Sequence, residues 1–241
     1  MPTPNPPHSA LSPADVASVS PVLAAYTKHK IVEELWQRPG LSNKDRYLIT
    51  LSTLIARGQT AGMLHYFNGA LDDGVTPAEI SEIVAHLAFY AGWPTVFAAV
   101  TVLKDIFAQR GIAADQLPEI APALLSLDDA IPDEAVRVGF IGEVVAPVSP
   151  ALQHFTDEPL YHRVWLRPGL AMRDRNLVTV SALIALGQLE FLVFYLGRAV
   201  EKGITKEQLG ELIGHIAFYA GWPFAMSATG VVKRFFAGRP T

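Results

Sequence analysis

The chain has 241 residues with a formal net charge of −4, is half hydrophobic and only 17% charged, and contains no cysteine. That composition allows a large buried core and excludes a disulfide framework, a thiolate metal site and a thiol nucleophile. Its acidic balance offers no basic footprint for nucleic acid and no polybasic patch for a membrane surface.

The opening stretch MPTPNPPHSALSP lacks a basic n-region and an apolar run, so it reads as a proline-rich flexible arm over 1–15 and not as a signal peptide. From about residue 16 the pattern is helical. Ser42 followed by Asp45 predicts an N-cap with an acidic first turn, ahead of apolar Leu48, Leu51, Leu54 and Ile55. Gly58 ends that helix. A second helix is predicted from about Thr60 to Asp72, stopping at Gly74 as a C′ glycine. TPAE (76–79) reads as a capping box with proline at N1. The third helix ends at AGWP, where glycine is expected to let two helices meet closely, tryptophan to fill the corner, and Pro94 to start a fourth helix that runs to about Arg110.

The segment 111–144 shows the apolar spacing of a short helix or two, at Leu124, Leu125 and Leu127, then Ala135, Val138 and Ile141. After it the series recurs. WLRPGLAMRDR (165–175) repeats WQRPGLSNKDR (36–46), and HIAFYAGWP (215–223) repeats HLAFYAGWP (86–94), at a constant offset of 129. The chain therefore reads as an all-α fold of two tandem repeats, 16–110 and 145–241, joined by 111–144. Its longest apolar runs, such as LVTVSALIALG (177–187), are too short to span a bilayer, and the expectation is a soluble cytoplasmic protein.

Comparing the repeats separates what the fold needs twice from what a site needs once. His65 stands where the second repeat has Phe194, Asn68 where it has Gly197, and Arg57 where it has Leu186. On a helix His65 shares a stripe with Asn68 and Asp72, beside an apolar face of Met63, Leu64, Phe67, Ala70 and Leu71. It reads either as an ordinary boundary histidine or as a general acid/base facing a ligand. Glu82 and His86, repeated as Glu211 and His215, are an i,i+4 pair. The carboxylate either fixes the imidazole tautomer and raises its basicity for catalysis, or the pair is structural glue. Arg46 and Arg175, and Arg38 and Arg167 before Pro-Gly, are either structural partners of acids or clamps for a substrate carboxylate. Arg57, eight residues before His65, fits a clamp best by proximity, and Tyr66 and Asn68 complete the expected substrate-contacting set. No HExxH or third ligand at metal spacing, phosphate loop, nucleophile elbow or dinucleotide fingerprint occurs.

SPVLAAYT, LWQRPGLSNKDRYLITLSTLIARGQT and LHYFNGALDDGVTPAEISEIVAHLAFYAGWP together resemble the carboxymuconolactone decarboxylase family, over both repeats. The resemblance implies an AhpD-like all-α helical fold and, because single-module members form hexamers, a homotrimer of six modules. It implies no cofactor. The peroxidase branch uses a CxxC pair, an assisting glutamate and a histidine. If His65 matches that histidine, the cysteine positions fall on Gly58 and Ala61 and the glutamate on Arg46, which argues against a thiol peroxidase. The decarboxylase branch implies a lyase acting on a small carboxylated lactone or related enolisable acid. In it His65 would be the acid/base, Arg46 and Arg57 carboxylate or enolate partners, and Glu82 and His86 support. Another cofactor-independent lactone isomerase or hydrolase, or a non-catalytic small-molecule binding or assembly protein, stays open beside it.

Overall fold

A computed structural model describes residues 11–238. The first repeat contributes α1 (Pro13–Val19), α2 (Pro21–Tyr26), α3 (Asn43–Ala56), α4 (Met63–Asp72), α5 (Pro77–Ala91) and α6 (Trp93–Arg110). The connection carries α7 (Leu127–Ala130) and α8 (Glu134–Phe140), and the second repeat α9 (Pro150–Phe155), α10 (Met172–Leu186), α11 (Leu189–Glu201), α12 (Lys206–Ala220) and α13 (Trp222–Ala237). Among the described residues there is no strand, and no helix is long and apolar enough to cross a membrane.

The local signals act as their chemistry dictates. Ser42 with Asp45, Thr76 with Glu79 and Thr205 with Gln208 form reciprocal capping boxes that satisfy the first orphan amides of α3, α5 and α12. The expected arm lies outside the described residues up to position 10. Its last residues are helical, because a Ser12–Asp15 capping box starts α1 at Pro13. The helix expected from Thr60 begins with a 3-10 turn, Thr60–Gly62, and becomes α-helical only at Met63.

The AGWP corner works differently from the expectation. A Cβ on Gly92 would meet nothing within 4 Å, so close helix approach is not what requires glycine there. The requirement is conformational: Gly92 and Gly221 sit at φ +85° and +103°, a region that L side chains rarely adopt. Nor does tryptophan fill the corner. Trp93 is 48% and Trp222 56% exposed.

The repeats do not fold as separate beads. α3 and α10 lie side by side at the centre, and one hydrophobic core runs through both repeats. The third long helix of each repeat crosses over: α5 packs on α10, and α12 packs on α3. Charges at the start of the central pair are exchanged in the same reciprocal way, Lys44 with Asp174 at 3.0 Å and Arg173 with Asp45 at 2.6 Å. Arg57 belongs to this interface as well. It donates to the Ala185 carbonyl at 3.0 Å and lies over the Phe224 ring. The connection is tied down along its length: Leu125 N–H donates to the Leu166 carbonyl, and Arg167 donates to the carbonyls of Glu119 and Ile120.

Candidate active site

Crossing over places each Glu-x-x-x-His helix against the arginines, threonine and tryptophan of the other repeat. Two composite clusters result, one built on α5, α10 and α11, the other on α12, α3 and α4.

In the first, Glu82 accepts from Arg167 Nε at 2.7 Å and from Arg175 Nη2 at 3.1 Å. His86 Nε2 lies 2.8 Å from Thr179 Oγ1, whose hydroxyl donates to the Arg175 carbonyl. The threonine proton being committed there, Nε2 carries the imidazole hydrogen and Nδ1 is left as an acceptor toward Arg175 Nη1 at 3.4 Å. Burial, and then the Arg175 guanidinium, hold His86 well below the usual histidine range. Trp165 donates to the Tyr90 hydroxyl, which donates to Tyr195, which also meets Tyr161. The Arg198 guanidinium lies among the Tyr161, Trp165, Phe194 and Tyr195 rings. We refer to this as the closed cluster.

The second cluster has the same parts in a looser state. Glu211 turns outward, taking Arg38 bidentately with both distances 2.6 Å. Arg46 is fully buried. It donates one Nη2 hydrogen to the Arg38 carbonyl, and its Nε and Nη1 have no hydrogen-bond partner. His215 Nε2 lies 2.7 Å from Thr50 Oγ1, and its Nδ1 has no partner. Burial, with Arg46 nearby, pushes its pKa down to about 3. Trp36 Nε1 donates to the Tyr219 hydroxyl, which lies 2.8 Å from Tyr66 Oη. Trp36 stacks on Tyr66 with the ring planes 11° apart. In front of these rings opens a cavity of about 720 Å³, lined by Lys28, Trp36, Asn43, Tyr47, His65 and Tyr66 among others. A smaller cavity of about 340 Å³ lies on the other flank, beside the Arg38–Glu211 pair.

The residues expected from sequence are thus divided. His65 is exposed, on the rim of the large cavity, its ring edge-on to Tyr66 at 4.9 Å. Tyr66 forms the wall. Arg46 lies buried in the same cluster. Glu82 and His86, by contrast, belong to the closed cluster. They do not bond each other as an i,i+4 pair; both reach across to the second repeat, and His86 is made less basic, not more. Asn68 is engaged by Arg110 (2.7 Å) and by the Leu64 carbonyl, and Arg57 by Ala185 and Phe224. Sequence reasoning passed over Trp36, Tyr47 and Tyr219. For Tyr47 a signal existed: the repeats differ there (Asn176) and also at Gly69 (Arg198). The two differences are coupled, because a Cβ on Gly69 would come within 2.7 Å of the Tyr47 hydroxyl. Glycine at 69 is what admits the Tyr47 ring.

The two buried histidines make stability depend on pH. Each has a folded-state pKa below the 6.5 of an unfolded histidine, so the unfolded chain binds more protons and stability falls as pH drops below about 6.5. At about 1.4 kcal/mol per pH unit, His215, with its pKa pushed down to about 3, loses about 2 kcal/mol by pH 5, and His86 adds a loss of the same sign. Denaturant titrations at pH 7, 6 and 5 read this directly, and His215→Gln is expected to halve the slope. Flat stability from pH 7 to 5 would contradict buried neutral imidazoles.

The molecule is thus an all-α tandem duplication in which each repeat completes the polar cluster of the other. The profile of the Carboxymuconolactone decarboxylase family matches residues 22–105 and 150–234, and the chain belongs to that family. Among curated proteins it is similar to a 4-carboxymuconolactone decarboxylase of Acinetobacter baylyi, 33% identical over 84 residues, covering 35% of this chain and 63% of that protein. It is also similar to the nitrosuccinic acid decarboxylase npaB of Metarhizium robertsii, 41% identical over 70 residues, covering 29% of this chain and 49% of that protein. The chain therefore spans between about half and 63% of the length of these relatives.

Proposed function

We propose that the cavity beside Trp36, Tyr47, His65 and Tyr66 is the active site of a cofactor-independent carboxy-lyase. Its substrate class is a small carboxylated lactone, or a related acid that carries an electron acceptor. The observation that carries this reading is the asymmetry of the clusters: one is filled by the chain, the other opens on a cavity large enough for a small molecule. The names of the two relatives fit a single chemistry. In a carboxymuconolactone or a nitrosuccinic acid, the electron pair left by departing CO₂ is taken up by an acceptor, the lactone carbonyl in one and the nitro group in the other.

In the proposed reaction the bond between carbon and the leaving carboxylate breaks, CO₂ departs, and the electron pair delocalises onto an acceptor oxygen. The phenols of Tyr47 and Tyr66 donate hydrogen bonds to that oxygen. Burial raises both phenols above the ordinary tyrosine range, which keeps them protonated as donors. The His65 imidazole then delivers a proton to carbon and recovers it from water. Lys28 supplies positive charge on the cavity wall for a second carboxylate. Buried Arg46, behind Trp36 and Tyr66, adds a fixed cation to the field of the site.

The test is incubation with 4-carboxymuconolactone and with nitrosuccinic acid, following substrate absorbance and released CO₂, with and without EDTA and a thiol reagent. Turnover of at least one acid, unchanged by either reagent, is expected: the sequence has no cysteine, and no group of three or more His, Asp or Glu placed to hold a metal ion occurs among the described residues. Activity lost to EDTA and restored by one metal would overturn it.

A homotrimer is part of the same reading. Its support is the apolar stripe left exposed on α6 and α13, where Trp93, Phe97, Trp222 and Met226 are each about half exposed or more. Light scattering is expected to give three times the 26.1 kDa chain mass. A monomer at micromolar concentration would contradict it.

A further inference from the structure

The closed cluster holds a side chain that neither the fold nor the proposed reaction accounts for. Arg198 occupies the position of Gly69 in the first repeat, in the middle of α11, and is 1% exposed. A long cation in a helix interior facing the core is costly unless something there receives it. Its guanidinium carbon lies 4.4 Å from the Phe194 ring centre, 5.0 Å from Tyr161, 5.3 Å from Trp165 and 5.6 Å from Tyr195. Only Nε finds a counter-charge, Asp133 of the connection at 2.6 Å. Nη1 and Nη2 have no hydrogen-bond partner.

Rings on several sides and one carboxylate are the architecture with which proteins bind organic cations, since each ring presents its negative face to the charge. Three of the four rings have counterparts around the open cavity: Trp36 for Trp165, Tyr66 for Tyr195 and His65 for Phe194. The cage is therefore the open cavity's twin. In it, Asn176 replaces Tyr47 and Tyr161 replaces Val32, which keeps four rings but moves one of them and leaves room for a cation from position 198.

We propose that the closed cluster is a binding cage for a planar organic cation of the guanidinium type, with Arg198 as its built-in occupant. Consequently, of the two clusters, only the open one is left to substrate, a corollary that rests on the proposed function; the cage itself does not. Truncating Arg198 empties the cage, and a free guanidinium-type ion takes its place.

The experiment is thermal unfolding of Arg198→Ala in millimolar methylguanidinium, with urea as the planar neutral control and sodium as the plain cation. Arg198→Ala is expected to melt below wild type. Methylguanidinium is expected to raise its midpoint saturably by about 2–4 °C, the shift that about 1 kcal/mol produces in a chain of this size. Urea and sodium should not, wild type should not respond, and adding Asp133→Asn should abolish the response. No saturable rise in Arg198→Ala, or an equal rise in wild type, overturns the proposal. If Arg198→Ala does not fold unaided, it is refolded with and without methylguanidinium. Recovery only with the cation supports the cage, and recovery with neither ion nor control overturns it. Because the readout is stability, failure of the decarboxylase reading leaves this result untouched, and the reverse also holds.

Discussion

Glu82→Ala is expected to destabilise the protein by about 3–5 kcal/mol, the usual cost of stripping one partner from a buried ion pair, whereas Glu211→Ala should cost about 1 kcal/mol or less. The two glutamates occupy equivalent positions and read identically in sequence, so the difference lies in their surroundings. Glu82 is 1% exposed and holds Arg175, which is fully buried, as well as Arg167. Removing it leaves a guanidinium in the core with no counter-charge. Glu211 pairs only with Arg38, a side chain 49% exposed, where water replaces most of what the carboxylate gave. Arg46, the counterpart of Arg175, already lacks a hydrogen-bonded carboxylate. Urea unfolding of the two variants measures the contrast. Equal losses would show that the open cluster is as tightly paired as the closed one.

His65→Ala should lower kcat by about 10²–10⁴ on an accepted substrate, the range for losing a positioned acid/base, with a midpoint of unfolding close to wild type. The exposed imidazole forms no hydrogen bond that the fold depends on; its contact is edge-on to Tyr66. Phe194→Ala is the matched control. Phe194 packs against the core and lies under Arg198, so its truncation should lower stability, by at most about 3–5 kcal/mol, and affect turnover only through that loss. Near wild-type kcat in His65→Ala would remove the imidazole from the mechanism and pass the proton donor's role to Tyr66 or Tyr47.

The helices, their capping boxes and the duplication were legible in the sequence because each depends on neighbours a few residues away. Ser42 and Asp45, or Thr76 and Glu79, meet whatever the tertiary fold. The crossing of α5 and α12 was not legible. Near-identical repeats offer identical partners within a repeat and between repeats, and only packing decides which are used. The Glu82–His86 spacing therefore showed correctly that both side chains share a face. It did not show that the face looks at Arg175 and Thr179 of the other repeat. His65 illustrates a finer limit. One residue along an α-helix is a rotation of about 100°, so Tyr66 joins the side of Met63, Phe67 and Ala70 while His65 turns to the rim. The Trp36–Tyr219–Tyr66 chain spans 183 residues at its first link, a distance no local pattern encodes.

In the proposed reaction substrate binds in one composite cavity, fronted by the first repeat and completed by α12 of the second. A crystal structure with an unreactive analogue of an accepted acid tests it most directly. One analogue per chain is expected, between Trp36, Tyr47, His65 and Tyr66, with its acceptor oxygen within hydrogen-bond reach of a Tyr47 or Tyr66 hydroxyl. An analogue seated instead against Glu82 and His86 in the closed cluster, or in the cavity beside Arg38 and Glu211, would contradict it.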